Sequence, residues 1–391
     1  MNPLTDINLR VSLHQSKGYA IFLSMLPIVM MYKTPGTGMG ITTTMIALGM
    51  VYAGCVIYVN WKKIDLTRLF FFIPYLCYAF FASNGMYRML TTAIFIHLLA
   101  ISSGAVHWGR LKTMLIGVAC VASCCVILQQ LLHLALGLDL QFLYSSLMID
   151  SLQHEGYSSL FEPYHGKSMY RPSAFFIEPS HFGQYAFLGL SACLFSTEKV
   201  RYKEAILISV GMFATTSGMG FVMTGAIWLW WGLSKMEDYP AIYKVCLFVG
   251  VCIAALLLFL LLYQIPFFQN ILSRFIDTPE GEYNAIEGRT FGWAYFENKD
   301  FWELFWGFGT DALPKVYFTG FMEQLYMYGW LGVGLLFMYL AWLCLSSRGF
   351  ARIVMILYPS LYFIAGVSGF IPVIFYIGTV LTFVRSQDEE W

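Results

Sequence analysis

The chain has 391 residues, of which 58% are hydrophobic, 18% aromatic and only 12% charged. About a quarter of the residues of a soluble domain are charged, so this composition excludes an ordinary soluble protein. Acidic and basic side chains balance to a net charge of zero, and no nucleic-acid partner is predicted. Apolar runs of the ~20 residues that a membrane-spanning helix needs recur along the whole chain and leave no separate soluble domain.

The polar N-terminal residues are predicted to precede a retained membrane anchor. Asp6, Arg10, His14 and Lys17 come before the first apolar run, and no small-residue cleavage site of a signal peptide follows that run. All nine cysteines fall inside apolar runs, which predicts neither disulfides nor a thiolate metal site.

About twelve spanning helices are predicted in one transmembrane domain, residues 1–391. The fold class is all-α, because backbone groups in lipid must bond internally and the runs lack the alternation of a barrel. Two of the runs are interrupted, one near Ser217 and one near Gly366. Each of these runs forms either two short helices or one broken helix. The predicted spans are 19–32, 39–59, 69–83, 89–106, 113–136, 176–197, 204–217, 219–234, 245–265, 323–346, 353–367 and 370–385.

The loops rich in Lys and Arg predict the orientation, because cytoplasmic loops collect these residues. Both termini are then cytoplasmic in a bacterial inner membrane, and two long loops, 137–175 and 266–322, face the periplasm. Loops of this length are usually functional. The spans contain almost no ionisable side chains and no visible repeat, which argues against a transporter. The polar exceptions His97, Gln129, Gln130 and His133 are predicted to bond between helices.

A polar cluster ends the first long loop, directly before an apolar helix. Arg171 is followed by Glu178, Pro179, Ser180 and His181. Pro179 suits the first helical turn, because its fixed φ fits and its missing N–H is not needed there. Glu178 is therefore predicted to stand at the outer mouth of the helix. Simple capping by Glu178 is the alternative, but it does not account for the neighbouring arginine and histidine.

In the second long loop, aromatic residues fill half of the stretch 291–306 and alternate with charged ones. This pattern predicts an amphipathic helix at the outer membrane interface. Trp293 and Trp302 are candidates for stacking on sugars, and an interfacial anchor is the alternative. Both loops are net acidic, so a bound phosphate must be held by individual arginines, whose planar donors match its oxygens.

The segment Arg171 to Tyr185, with its Phe-Phe-x-Glu-Pro-Ser-His-Phe core, resembles the bacterial O-antigen and capsule repeat-unit polymerases of the Wzy type. The order of Arg289, the aromatic stretch, Gly307-Phe308-Gly309 and Tyr328-Gly329-Trp330-Leu331-Gly332 is similar to the Arg, Gly-x-Gly, Gly-x-x-Gly layout of that family and of the related O-antigen ligases. The predicted layout of helices and outer loops also matches and implies the GT-C-type membrane glycosyltransferase fold.

The resemblance implies a metal-independent enzyme without a cofactor that polymerises lipid-linked oligosaccharide repeat units. It would transfer the nascent glycan from undecaprenyl pyrophosphate to the non-reducing end of a new lipid-linked unit, with membrane lipid and a chain-length co-polymerase as partners. Carried onto this sequence, Arg171 and Arg289 bind the pyrophosphate, unless they only bond lipid headgroups. Glu178 accepts the proton of the acceptor hydroxyl, with His181 as the alternative base. Tyr185 is a further candidate contact with the glycan.

Two departures from the family pattern bear on the choice of activity. Many relatives have an arginine after the serine between the seventh and eighth helices, where this chain has Ser217-Gly218. The ligases have a histidine shortly before the Gly-x-x-Gly helix, where residues 317–320 have none, and this favours a polymerase. An O-antigen ligase and a lipid-linked oligosaccharide flippase remain the alternatives. A scaffold without catalytic activity gives no reason for the cluster around Glu178.

Overall fold

The computed structural model describes residues 16–29, 32, 41–140, 142, 161–164, 167–195, 199–236, 238–264, 269, 290–311, 314, 318–366 and 369–389. Apart from one short hairpin, the regular structure of these residues is helical. Within these described residues, four helices are long and apolar enough to cross a membrane, namely Gly85–Ser102, Trp108–Leu136, Gly320–Ser346 and Phe370–Gln387. The chain is therefore a helical membrane protein, and the larger number of spans stays a prediction.

The chain forms two compact units, the first of which takes in Met1–Val118, Tyr144–His154 and Ala294–Trp391. Its helices are α1 (Lys17–Val29), α2 (Ile41–Asn60), α3 (Ile73–Ala82), α4 (Gly85–Ser102), the first part of α5 (Trp108–Leu136), α10 (Phe301–Trp306), α11 (Gly320–Ser346), α12 (Gly349–Ile364) and α13 (Phe370–Glu389). Helix α13 packs against α1, α4 and α12, and α11 packs against α3, α10 and α12. Buried aromatic rings fill the space between them, with Tyr358 stacked on Tyr376 at 4.5 Å between ring centroids.

The second unit takes in Ala119–Leu143 and Glu155–Trp293. It contains the rest of α5, the strands β1 (Phe161–Tyr164) and β2 (Lys167–Tyr170), and the helices α6 (Pro179–Phe195), α7 (Tyr202–Ala214), α8 (Gly218–Lys235) and α9 (Ala241–Leu262). Every residue of α6 from Phe182 to Leu194 is buried, and α6 contacts both α7 and α8. A helix that is apolar on all sides lies in the interior, so α6 is the central helix of this unit.

Apolar side chains also cover the outer faces of the helices, as expected of surfaces that face lipid. On α9, Ile242, Ile253, Leu257 and Leu261 are each more than half exposed. Soluble monomers rarely expose contiguous apolar patches of such extent, so these faces fit a bilayer and not water.

The helices fall where the sequence predicted them, and a helix lies in each of the twelve predicted spans. Both doubtful runs are pairs of separate helices: α7 ends at Ala214 and α8 begins at Gly218, and α12 ends at Ile364 while α13 begins at Phe370. At the first break Thr216 adopts a positive φ of 57°. A Cβ on Gly220 would lie 2.6 Å from the carbonyl oxygen of Met212, so only glycine permits this close packing.

Two predictions about the long loops need correction. The first loop contains the antiparallel hairpin β1–β2, with Phe161 opposite Tyr170, where no regular element was predicted. The aromatic stretch 291–306 is not one amphipathic helix but a 3-10 turn, Phe291–Tyr295, followed by the short helix α10. Asp300 interrupts the stretch, because its side chain and that of Glu303 form a capping box that starts a new helix.

Candidate functional site

The predicted cluster at the end of the first loop is centred on the start of α6. Pro179 is the first residue of that helix, as predicted, and the carbonyl oxygen of Glu178 accepts hydrogen bonds from the backbone N–H groups of His181 and Phe182 at 3.1 and 3.2 Å. Glu178 is thus the N-cap residue through its backbone, and its side chain is exposed. The Glu178 carboxylate accepts a hydrogen bond of 2.8 Å from the hydroxyl group of Ser180. It remains accessible to a ligand at the end of a buried helix.

The segment that leads to Glu178 is fixed in an unusual backbone conformation. Ser173, Ala174, Phe176 and Ile177 are buried, and Ala174 has a positive φ of 54°. A non-glycine residue in this region costs on the order of 1–3 kcal/mol and persists only where its surroundings hold it. A turn supplies part of this support, since the Ser173 hydroxyl donates to the Phe176 carbonyl oxygen at 2.7 Å.

Gln129 of α5 adds support through both polar atoms of its amide. Its Oε1 accepts the backbone N–H of Ala174 at 2.9 Å, and its Nε2 donates to the carbonyl oxygen of Leu140 at 2.9 Å. The side chain is completely buried, so these bonds are made away from water. One amide therefore joins the beginning of the first long loop to its end and fixes the backbone between Arg171 and Glu178.

Arg171 begins this segment at the end of β2 and is half-buried. The preceding Tyr170 donates its hydroxyl to the carbonyl oxygen of Leu140 at 2.7 Å and stacks on the ring of His133 at 4.6 Å. His133 in turn lies 2.6 Å from the Asp139 carboxylate. Burial, together with the charge of Asp139, raises the pKa of Tyr170 to about 12. The Tyr170 hydroxyl thus stays a neutral hydrogen-bond donor at physiological pH and connects the hairpin to the beginning of the same loop at Leu140.

The other predicted site residues of this unit differ in accessibility. His181 is half-buried in the first turn of α6. Tyr185 is only 1% exposed and its ring packs against Phe176 at 5.5 Å, so it is a core residue here and offers no surface to a glycan. Trp293 is 38% exposed. Arg289 lies outside the described residues, and its pairing with Arg171 stays a prediction.

Trp302 belongs to the first unit and lies on α10, where the residue is 61% exposed. The same unit contains the two glycine segments that carry the family resemblance, Gly-x-Gly at 307–309 and Gly-x-x-Gly at 329–332. The Gly-x-Gly segment contacts the helical turn directly before the other. The N–H groups of Phe308 and Gly309 donate to the carbonyl oxygens of Tyr326 and Met327 at 2.7 and 3.2 Å. These carbonyl oxygens precede Gly329, whose φ of 60° breaks α11 into two halves.

The same broken helix carries acidic and amide side chains that were not among the predicted site residues. Glu323 and Gln324 line a small cavity with several tyrosine rings. The sequence contained a signal, since Glu323 is an acid at the first position of the predicted span 323–346, but no role was assigned to it.

No protein-family model matches the chain, and no curated protein sequence or solved structure matches it either. The functional conclusion therefore depends on the residues themselves and on the geometry that surrounds Glu178.

Proposed function

We propose that the chain is a membrane glycosyltransferase that polymerises lipid-linked oligosaccharide repeat units, with Glu178 as the proton acceptor. The observation that carries this proposal is the segment between Arg171 and Glu178, whose backbone bonds to Gln129 at Ala174 and which carries a cation at one end and an exposed carboxylate at the other. Catalytic groups held on a rigid support keep their geometry when the substrate binds.

The roles of these residues follow from the chemistry of the transfer. The acceptor hydroxyl oxygen bonds to the donor's anomeric carbon, and the bond from that carbon to the pyrophosphate oxygen breaks. Its electron pair leaves with undecaprenyl pyrophosphate, and the hydroxyl proton passes to the Glu178 carboxylate. Arg171 balances the negative charge that develops on the leaving group. Arg289 would add a second cation, and this role stands on the resemblance alone.

Ser180 and His181 are assigned by their position beside Glu178. The Ser180 hydroxyl donates to one carboxylate oxygen, which orients the group and leaves lone pairs for the acceptor hydroxyl. His181, in the same helical turn, is the alternative proton acceptor.

The test is the length of the surface glycan in cells whose only copy of the gene carries Glu178→Gln or Arg171→Ala. We expect single-repeat glycan in place of a ladder, because loss of a general base lowers the rate by about 10²–10⁴-fold. Glu297→Gln, an exposed acid elsewhere in the chain, is the matched control and should give the normal ladder. Membrane abundance of each variant is measured by immunoblot.

The alternatives give different glycans in the same experiment. Long polymer that stays on undecaprenyl pyrophosphate and never reaches lipid A core would indicate a ligase. Loss of all outward-facing repeat units would indicate a flippase. A full ladder from both variants at normal abundance would remove Glu178 and Arg171 from the mechanism.

A further inference from the structure

The first unit contains a cavity between α3, α4 and the first half of α11, close to the start of α13. Its volume of about 50 Å³ is well below the roughly 300–1,000 Å³ of a pocket for a whole small molecule, so it admits only part of a ligand. Most of the lining is apolar. The polar groups on it belong to Tyr75, Tyr87, Thr91, Glu323, Gln324 and Tyr328.

The break in α11 creates this lining. The helix begins at Gly320, with Thr319 as N-cap, and is interrupted at Gly329. Residues 323, 324, 327 and 328 lie on one side of the short first half, because positions three and four apart share a helix face. Gln324 and Tyr328 are buried there, and Glu323 is half-buried.

Hydrogen bonds fix the polar groups around the cavity. The Tyr75 hydroxyl donates to the Oε1 atom of Gln324 at 2.8 Å, and the hydroxyl groups of Tyr328 and Ser83 are 3.1 Å apart. Glu323 lines the same cavity as Tyr75, Tyr87 and Tyr328. A carboxylate has about four acceptor sites, so Glu323 can accept hydroxyl groups of a ligand in addition to its neighbours in the protein.

The chemistry of the cavity selects its ligand class. Among the described residues the lining contains an acid and no lysine or arginine to bind phosphate, so the cavity does not suit the pyrophosphate of a lipid carrier. Carboxylate and amide oxygens accept hydroxyl groups, while the faces of tyrosine rings pack against C–H groups. A sugar ring presents both kinds of group, because it carries hydroxyl groups along its edge and C–H groups on its face.

We propose that the Glu323 cavity binds the hydroxyl-bearing edge of a saccharide. Transfer between two lipid-linked glycans requires a sugar-binding site in addition to the one at Glu178. The assignment of the cavity to that role rests on the proposed function. Glu323 and Glu178 have corresponding positions in the chain, because each stands at the start of a helix that follows one of the two long loops. Saccharide binding itself is testable without any transfer reaction.

The test is saturation-transfer NMR on the full chain purified in detergent. The probes are millimolar methyl glycosides of glucose, galactose, rhamnose and N-acetylglucosamine, with tetramethylammonium chloride as the cationic comparison. We expect transfer to the ring protons of at least one glycoside, reduced at least fivefold by Glu323→Gln. Tyr87→Phe, which removes one hydroxyl group from the lining, should reduce it as well and covers the case in which Glu323→Gln fails to fold.

Glu297→Gln, an exposed acid of the same unit, is the matched control and should keep the wild-type signal. Glycan length in cells is measured separately, so a failed polymerase proposal and a failed saccharide site are distinguishable. The inference is overturned if no glycoside shows transfer, if the signal survives in both cavity variants, or if only tetramethylammonium binds in a Glu323-dependent way.

Discussion

Gln129 shows how much one side chain contributes to the candidate site. Its amide offers a donor and an acceptor, and both are used on backbone groups of the first long loop. The sequence had placed Gln129 among polar residues that bond between helices. That expectation is confirmed for His97, which lies 2.6 Å from the Tyr19 hydroxyl across α1 and α4, whereas Gln129 holds a loop in place.

Replacement of Gln129 by Leu should lower the stability of the protein. The substitution leaves the buried Ala174 N–H without its partner, at a cost of about 1–3 kcal/mol, whereas the Leu140 carbonyl oxygen still accepts the Tyr170 hydroxyl. We therefore expect a lower melting temperature in detergent, together with a shortened glycan ladder, because the segment from Arg171 to Glu178 loses its support.

Gln130→Leu is the matched control for that measurement. Gln130 is adjacent and buried, yet within the described part of the chain neither atom of its amide has a hydrogen-bond partner. Its replacement should leave the melting temperature unchanged or raise it. Equal effects of the two substitutions would contradict the role assigned to Gln129.

At the scale of secondary-structure elements, the break in α11 is the feature on which the first unit depends. Lipid offers no hydrogen bonds, so a broken helix in a membrane needs protein groups to satisfy its freed backbone. Phe308 and Gly309 provide them by bonding the carbonyl oxygens of Tyr326 and Met327. The close approach of Gly307 to Gly329 permits this arrangement, since a Cβ on Gly307 would lie 2.5 Å from the Gly329 nitrogen.

Gly329→Ala should disrupt this element. A Cβ there would overlap the carbonyl oxygen of Phe305, and the φ of 60° disfavours any side chain. Backbone strain alone costs about 1–3 kcal/mol, and the overlap adds to it. We expect reduced membrane abundance and a lower melting temperature, measured by immunoblot and by thermal unfolding in detergent.

Gly334→Ala in the same helix supplies the comparison. Among the residues that the structure describes, no atom lies within 4 Å of a Cβ built at Gly334, so the substitution meets open space. Alanine favours a helix over glycine by about 1 kcal/mol, and this variant should be as stable as the wild type or slightly more stable. If Gly329→Ala proved equally harmless, the close approach to α10 would have no structural importance.

At the scale of the whole molecule, the apolar outer faces and the four long apolar helices establish a membrane protein. The orientation is a prediction from the distribution of Lys and Arg. It decides whether Glu178 and the two long loops face the compartment where lipid-linked glycans are joined.

Reporter fusions test this orientation. Alkaline phosphatase, which is active only outside the cytoplasm, should be active when inserted after residue 150 or 280, in the two long loops. The same reporter inserted after residue 64 should be inactive, and green fluorescent protein at the C-terminus should fluoresce. Activity after residue 64 with none in the long loops would invert the topology and place Glu178 on the cytoplasmic side.

The sequence by itself determined where the helices lie and where α6 begins. Apolar runs of sufficient length must form helices in lipid, because backbone groups there can bond only to each other, and Pro179 restricts its own φ to a helical value. Both properties are local, so periodicity and composition predict them.

Tertiary structure alone decided which distant residues meet. The bond between Gln129 and Ala174, the contact of Gly307 with Gly329 and the cavity around Glu323 each join residues separated by many positions in the chain. The burial of Tyr185 in the core was likewise decided by packing. Such contacts depend on how helices pack in three dimensions, and a pattern along one helix carries no information about its partner.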